Sequence, residues 1–166
     1  MILVVALNPA LDITHHVDGV DWAGVNRPAE VRTSPGGKGL NVARVLRALE
    51  TDVLLVGIAG GTTGNAVRSA LGAAGVPAVF TEIAGETRRT FAVVDTHRGD
   101  ASCFYEPGPQ VTSAEYARFI DTFSAAVSRS TAVVLSGSLP RGLTSKTYAD
   151  LITMAASLQS RKTASG

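Results

Sequence analysis

The chain has 166 residues, 45% of them hydrophobic, and a formal net charge of +1 at pH 7. That is the length of one domain with enough apolar material for a sizeable core, and near-neutral charge with scattered basic residues gives no electrostatic reason to expect a nucleic acid or an anionic membrane as partner. Cys103 is the only cysteine, which excludes an internal disulfide and leaves an oxidising compartment without support.

Ile2 to Leu7 is a continuous apolar run, too short to span a bilayer and without the basic start of a signal peptide, so a cytoplasmic location is the default expectation. Its β-rich composition predicts a central strand covered on both faces, as in a parallel sheet, and Asn8-Pro9 stops it. Asp12 then sits just beyond the carboxyl end of that strand, the edge where open α/β sheets place ligands. On its own, a turn or capping aspartate is the plainer account of it. Ile13 to Val20 and Arg27 to Ser34 are half-polar and extended in character, which suggests a small lid inserted between a core strand and its helix. His15 and His16 are neighbours on a strand and point to opposite faces, so they read as surface residues and no metal site is expected. Arg27 can reach an anionic ligand from the lid or be simply solvated.

The most informative stretch follows: Pro35-Gly36-Gly37-Lys38-Gly39-Leu40-Asn41-Val42-Ala43-Arg44. Glycines at 36, 37 and 39 let backbone N–H groups approach a ligand closely or take positive φ. Val42, Val45, Leu46 and Leu49 then recur at the spacing of a buried helix face, predicting a helix from about Asn41. A glycine-rich loop feeding a helix N-terminus suits polar or anionic ligands, and equally a helix that only packs close to a strand. It is not a Walker A loop, because Arg32 and Gly39 stand where glycine and Ser or Thr are required.

Asp52 to Ile58 predicts the next strand, followed by a Gly-rich turn in which Ala59 breaks a dinucleotide fingerprint. A helix with Val67, Ala70, Leu71 and Ala74 on one face comes next, ended by Gly75-Val76-Pro77, a unit of the βαβ kind. Ala78 to Ile83, Thr90 to Thr96 and Ala101 to Tyr105 are short β-like runs, the last two joined by a hairpin turn at His97-Arg98-Gly99-Asp100, and are expected to complete the lid. Arg88 and Arg89 are adjacent, so only one can face a ligand from an extended segment. Thr112-Ser113-Ala114-Glu115 predicts a capping box, and Tyr116, Phe119, Ile120, Phe123 and Val127 the buried face of the helix it opens. Ala132 to Leu135 predicts a buried strand ending in Ser136-Gly137-Ser138-Leu139-Pro140, where Ser138 is a ligand-binding or a turn serine. A last helix carries Tyr148, Leu151, Ile152 and Ala155 on one face.

Gly36-Gly37-Lys38-Gly39-Leu40-Asn41-Val42-Ala43, Leu7 to Asp12, Gly85-Glu86-Thr87-Arg88 and Ser136 to Gly142 stand in the order shown by the phosphofructokinase-B type, ribokinase-like carbohydrate kinases. The chain resembles the N-terminal part of that family, most of all its 1-phosphofructokinase and tagatose-6-phosphate kinase branch. The resemblance implies an α/β, doubly wound, mostly parallel sheet with a small β lid, truncated at the C-terminus: one domain over residues 1-166 with lid segments about 12-34 and 78-106. It also implies a sugar-phosphate site of Asp12, Arg27, Gly36, Gly37, Lys38, Asn41, Arg88 and Ser138. Lys38 and Arg88 would balance the phosphate, Asp12 and Asn41 would orient hydroxyls, Ser138 would bond the sugar and the glycine N–H groups would complete the pocket.

The activity implied for the complete enzyme is ATP- and Mg2+-dependent phosphorylation of a ketohexose phosphate, fructose 1-phosphate to fructose 1,6-bisphosphate before tagatose 6-phosphate. No Asp here matches the family's catalytic base and the ATP-binding segments have no counterpart. This chain is therefore expected to carry the recognition half alone, to be inactive by itself and to bind no cofactor of its own. A non-catalytic binding or interaction module is the alternative. Homodimerisation through the lid, or association through an exposed sheet edge and uncovered helix faces, is the expected assembly.

Overall fold

The structure, a computed structural model, describes residues 1–164. Four strands, β1 (Ile2–Ala6), β4 (Val53–Ala59), β5 (Ala78–Glu82) and β8 (Ala132–Leu135), form an all-parallel sheet in the order β5-β4-β1-β8. Between β1 and β4 come β2 (Ala10–Val17), β3 (Glu30–Gly36) and helix α1 (Lys38–Ala48). Helix α2 (Gly61–Ala73) joins β4 to β5, and β6 (Arg88–Asp95), β7 (Asp100–Tyr105) and helix α3 (Ser113–Val127) lie between β5 and β8. Helix α4 (Lys146–Ala164) closes the described chain.

Strand periodicity sorts the core into two layers. Val4 and Ala6 of β1 and Val53 and Leu55 of β4 meet Leu40, Ala43, Val67 and Leu71 of α1 and α2. Leu3, Val5 and Leu7, with Val56 and Ile58, meet Phe119, Phe123 and Leu151 of α3 and α4 on the opposite face. Helices on both faces of a parallel sheet are what the near-continuous apolar strands predict.

A second sheet, in the order β3-β2-β6-β7, stands at the carboxyl end of β1. β2 pairs antiparallel with β3 and parallel with β6, opposing Asp12 to Ser34 on one side and to Thr90 on the other. The expected hairpin joins β6 to β7, with Gly99 at φ 75°. His15 and His16 lie half-buried on β2, a central strand, more enclosed than surface residues.

Several expectations are corrected. The run from Ala78 is not part of the second sheet. Returning after α2, it adds to the parallel sheet beside β4, as a strand–helix–strand crossover does. Helix α1 starts at Lys38, earlier than Asn41, and its buried residues are Gly39, Leu40 and Ala43, whereas Val45 and Leu49 are 59% and 69% exposed. The helix comes so close to β1 that a Cβ on Gly39 would lie 2.9 Å from the Ala6 Cβ and the Val5 carbonyl, so glycine stands at the point of contact. Ala74 and Ile152 are likewise exposed, and β8, paired only with β1 among the described residues, is half-buried. The segment expected to replace a further strand after the last helix is helical to Ala164; Ser165 and Gly166 lie outside the described residues.

Candidate functional site

The two sheets and the start of α1 enclose a cavity of about 330 Å³. It sits at the carboxyl end of β1, the end at which open parallel sheets gather loops and helix N-termini. Its walls include Asn8, Asp12, Gly37, Lys38, Asn41, Arg88, Thr90, Tyr105 and Ser138. Five segments of the chain thus converge: the turn after β1 with the start of β2, the glycine-rich loop, the first residues of β6, the end of β7 and the turn after β8.

Each segment has a local reason for its conformation. Gly37 precedes α1 at φ 96°, a conformation that glycine alone adopts without strain, and it leaves the first turn of the helix without a side-chain cap. The unpaired N–H groups of that turn and the helix dipole favour negative charge beside Lys38. Gly36, the last residue of β3, makes room for a neighbouring carboxylate, since a Cβ there would fall on the Asp12 carboxyl group. Gly137, at φ 109°, turns the chain after β8 so that Ser138 reaches the cavity, and its carbonyl accepts from the Tyr148 hydroxyl at 3.0 Å.

Arg88 is positioned from both sides of its loop. Glu86 accepts from the Thr63 amide at 2.5 Å at the uncapped start of α2, and the Thr63 hydroxyl and amide hold its carboxyl below the usual carboxylate range. Thr87, almost fully buried, accepts from the Gly60 amide at 3.0 Å. Arg88, next in line, directs its guanidinium across the cavity wall to donate to the Asn8 carbonyl at 3.4 and 3.5 Å. These are long bonds to a neutral acceptor, which leaves the guanidinium able to take a stronger anionic one. Arg89 faces away and pairs with Glu106 at 2.8 Å.

The Asn8 amide donates to Ser138 Oγ at 3.0 Å and to the Leu139 carbonyl at 3.4 Å, tying the turn after β1 to the turn after β8. Thr90 donates to Asp12 Oδ1 at 2.6 Å. The Tyr105 phenol is held protonated above its ordinary range, chiefly by Cys103 beside it and in smaller part by Asp12. Cations, amide donors and an acceptor carboxylate thus line one cavity, a set of groups suited to a small ligand that carries both hydroxyls and an anion.

Of the residues expected at the site, Asp12, Gly37, Lys38, Asn41, Arg88 and Ser138 line this cavity, and Gly36 borders it through Asp12. Arg27 is not among the lining residues; it is exposed on the segment between β2 and β3. Asn8, Thr90 and Tyr105 are additional. Asn8 falls in the Leu7 to Asp12 motif and reads locally as a strand stop, without a site role of its own, and Thr90 and Tyr105 share a face with Asp12 through a pairing register that no local pattern encodes. Among the described residues, no three His, Cys, Asp or Glu side chains are grouped to hold a metal, and no helix is long and apolar enough to cross a membrane.

The model of the pfkB family carbohydrate kinases matches residues 5–163. Among solved structures, a possible 1-phosphofructokinase from Thermotoga maritima superposes with a TM-score of 0.88 at 28% identity, over 95% of this chain and 51% of that one. Phosphofructokinase-2 from Escherichia coli in complex with fructose-6-phosphate gives 0.85 at 29% identity, over 95% and 52%. Ribokinase from Giardia lamblia, at 18% identity and a TM-score of 0.76, shares the fold, over 96% of this chain and 51% of its own. The chain thus spans about half the length of the solved structures it matches.

Proposed function

The chain belongs to the pfkB family of carbohydrate kinases, and from that premise we propose that it forms the sugar-phosphate-recognition half of an ATP- and magnesium-dependent kinase acting on a ketohexose phosphate, with fructose 1-phosphate as the preferred sugar. The observation that carries this reading is the convergence of Asp12, Lys38, Asn41, Arg88 and Ser138, from four separate segments, on one cavity. The relatives named as phosphofructokinases support the sugar class.

In this reading Lys38, Arg88 and the open N–H groups of α1 take the phosphate. Asp12 accepts from sugar hydroxyls, and Asn41 and Ser138 fix their orientation. Arg88 exchanges its long bonds to the Asn8 carbonyl for shorter, charge-assisted ones to phosphate oxygens. Catalysis of phosphoryl transfer lies in positioning and charge stabilisation, and these residues perform the positioning of the acceptor hydroxyl. Among the described residues Asp12 is the one carboxylate on the cavity wall, so the donor set does not by itself fit a magnesium–nucleotide complex, and ATP and magnesium are assigned to the complete enzyme. The second sheet acts as a lid over the sugar, and a second copy of the chain pairs through it. Phe104 on β7 and Trp22 on the segment between β2 and β3 support that pairing: both are more than half exposed, with ring centroids 6.3 Å apart.

Calorimetric titration with fructose 1-phosphate, then tagatose 6-phosphate, tests the reading. Saturable binding is expected, weakened at least about tenfold by Arg88→Ala, or about 1.4 kcal/mol. A folded chain that binds neither sugar overturns it and favours a non-catalytic interaction module.

A further inference from the structure

The carboxylate of Asp12 has two oxygens, and among the described residues one of them, Oδ1, accepts a hydrogen bond. Thr90, a 7%-exposed residue on β6, lies directly opposite Asp12 across the parallel β2–β6 pairing and donates its hydroxyl to Oδ1 at 2.6 Å. On the other neighbouring strand Gly36 gives the carboxyl group its space. With Thr90 on one side and a Cβ-free strand end on the other, the carboxylate has one seat, which it can reach without strain only while residue 36 remains glycine.

We infer that Thr90 is a positioning residue of the sugar site: by donating to Asp12 Oδ1 it locks the carboxylate in a single rotamer and leaves Oδ2 and its own oxygen lone pairs facing the cavity as acceptors. This rests on the sugar-phosphate reading of the cavity and deepens it. A threonine hydroxyl has one proton, and here it is committed to Asp12. The Asp12–Thr90 pair therefore presents acceptors alone, and it takes the hydroxyl-bearing end of a ligand while rejecting a phosphate. The anion is left to Lys38 and Arg88 on the same wall, so the pair sets the direction in which a sugar phosphate enters. The short, charge-assisted geometry is of the stronger kind, and a carboxylate held in place before binding loses less freedom when the ligand arrives.

Thr90→Val keeps the branched shape and removes the hydroxyl, so the β6 strand is retained. Calorimetry with fructose 1-phosphate is expected to show about tenfold weaker binding for Thr90→Val, recovery to within about threefold for Thr90→Ser, and no further loss from Thr90→Val in an Asp12→Asn background. Inorganic phosphate, as a probe of the anion end alone, is expected to bind wild type and Thr90→Val equally. The companion measurement needs no ligand: side-chain three-bond couplings should report one Asp12 χ1 rotamer in the wild-type chain and averaging in Thr90→Val. Undiminished sugar binding by Thr90→Val, an equal loss in the Asp12→Asn background, or an Asp12 rotamer unchanged by the substitution overturns the inference. If the wild-type chain binds no sugar phosphate, the cavity reading fails, while the rotamer measurement still decides whether Thr90 seats Asp12.

Discussion

Glu115 is 6% exposed, and its carboxylate accepts from the amides of Thr112 and Ala84 at 2.8 and 2.7 Å and from the Thr112 hydroxyl at 2.8 Å. The first contact belongs to the capping box that starts α3, and the second ties that helix to the chain just after β5. Bonds from the Thr112 amide and then the Ala84 amide hold its carboxyl below the ordinary value. Its folded-state pKa is depressed, so the stabilisation is complete above the unfolded glutamate value of about 4.3 and is lost as pH falls through the lower folded value. Glu115→Ala, which strips two amides of their acceptor, is expected to cost about 1–3 kcal/mol at neutral pH. The gap from wild type should narrow below about pH 4 as the wild-type carboxylate protonates. Urea unfolding of both chains at neutral and acid pH measures it; a gap that is the same at both would remove the carboxylate's charge from the explanation.

At the scale of the element, α1 shows how close approach overrides periodicity. Its apolar sequence pattern points Val45 and Leu49 inward, yet the helix buries Gly39, Leu40 and Ala43, and the missing side chain of Gly39 lets its backbone approach Val5 and Ala6. This approach brings the start of the helix, with Lys38 and Asn41, to the cavity. Gly39→Val is expected to destabilise by about 1–3 kcal/mol through overpacking, and Val45→Glu, at an exposed position, to stay within about 0.5 kcal/mol of wild type. Denaturant midpoints of the two variants check both. A large loss from Val45→Glu would mean that this face of the helix is covered in solution.

For the whole molecule, two surfaces compete to hold a second copy. One is the second sheet with the segment between β2 and β3, where Phe104 and Tyr105 of β7 are 52% and 70% exposed and Trp22 of that segment 59%. The other is the β8 edge, whose Ala132–Leu135 carries no charge to discourage another strand. Concentration-dependent association by sedimentation is expected, and Phe104→Asp is expected to shift the chain to monomer. Persistence of the larger species in Phe104→Asp, with its loss in Val134→Lys, would assign assembly to the strand edge instead.

Much of this molecule is legible in one dimension. The apolar runs of β1 and β4, the capping box of α3, the hairpin at Gly99 and the glycine-rich turn before α1 are local: neighbouring residues fix backbone conformation through sterics, hydrogen bonding and periodic burial. Family motifs, read the same way, pointed to Asp12, Lys38, Asn41, Arg88 and Ser138 before their convergence was visible. Three features required the tertiary structure. Ala78–Glu82 and the second-sheet strands look alike locally, and pairing partners alone separate them. Arg27 and Arg88 are chemically equivalent, and only the anchoring of the Arg88 loop by Glu86 and Thr87 brings one of them to the cavity. Thr90 gains its meaning from a register that opposes it to a residue 78 positions away. Local sequence determines which conformations a segment prefers; which side chains meet depends on the packing of distant segments, and that is where this site is made.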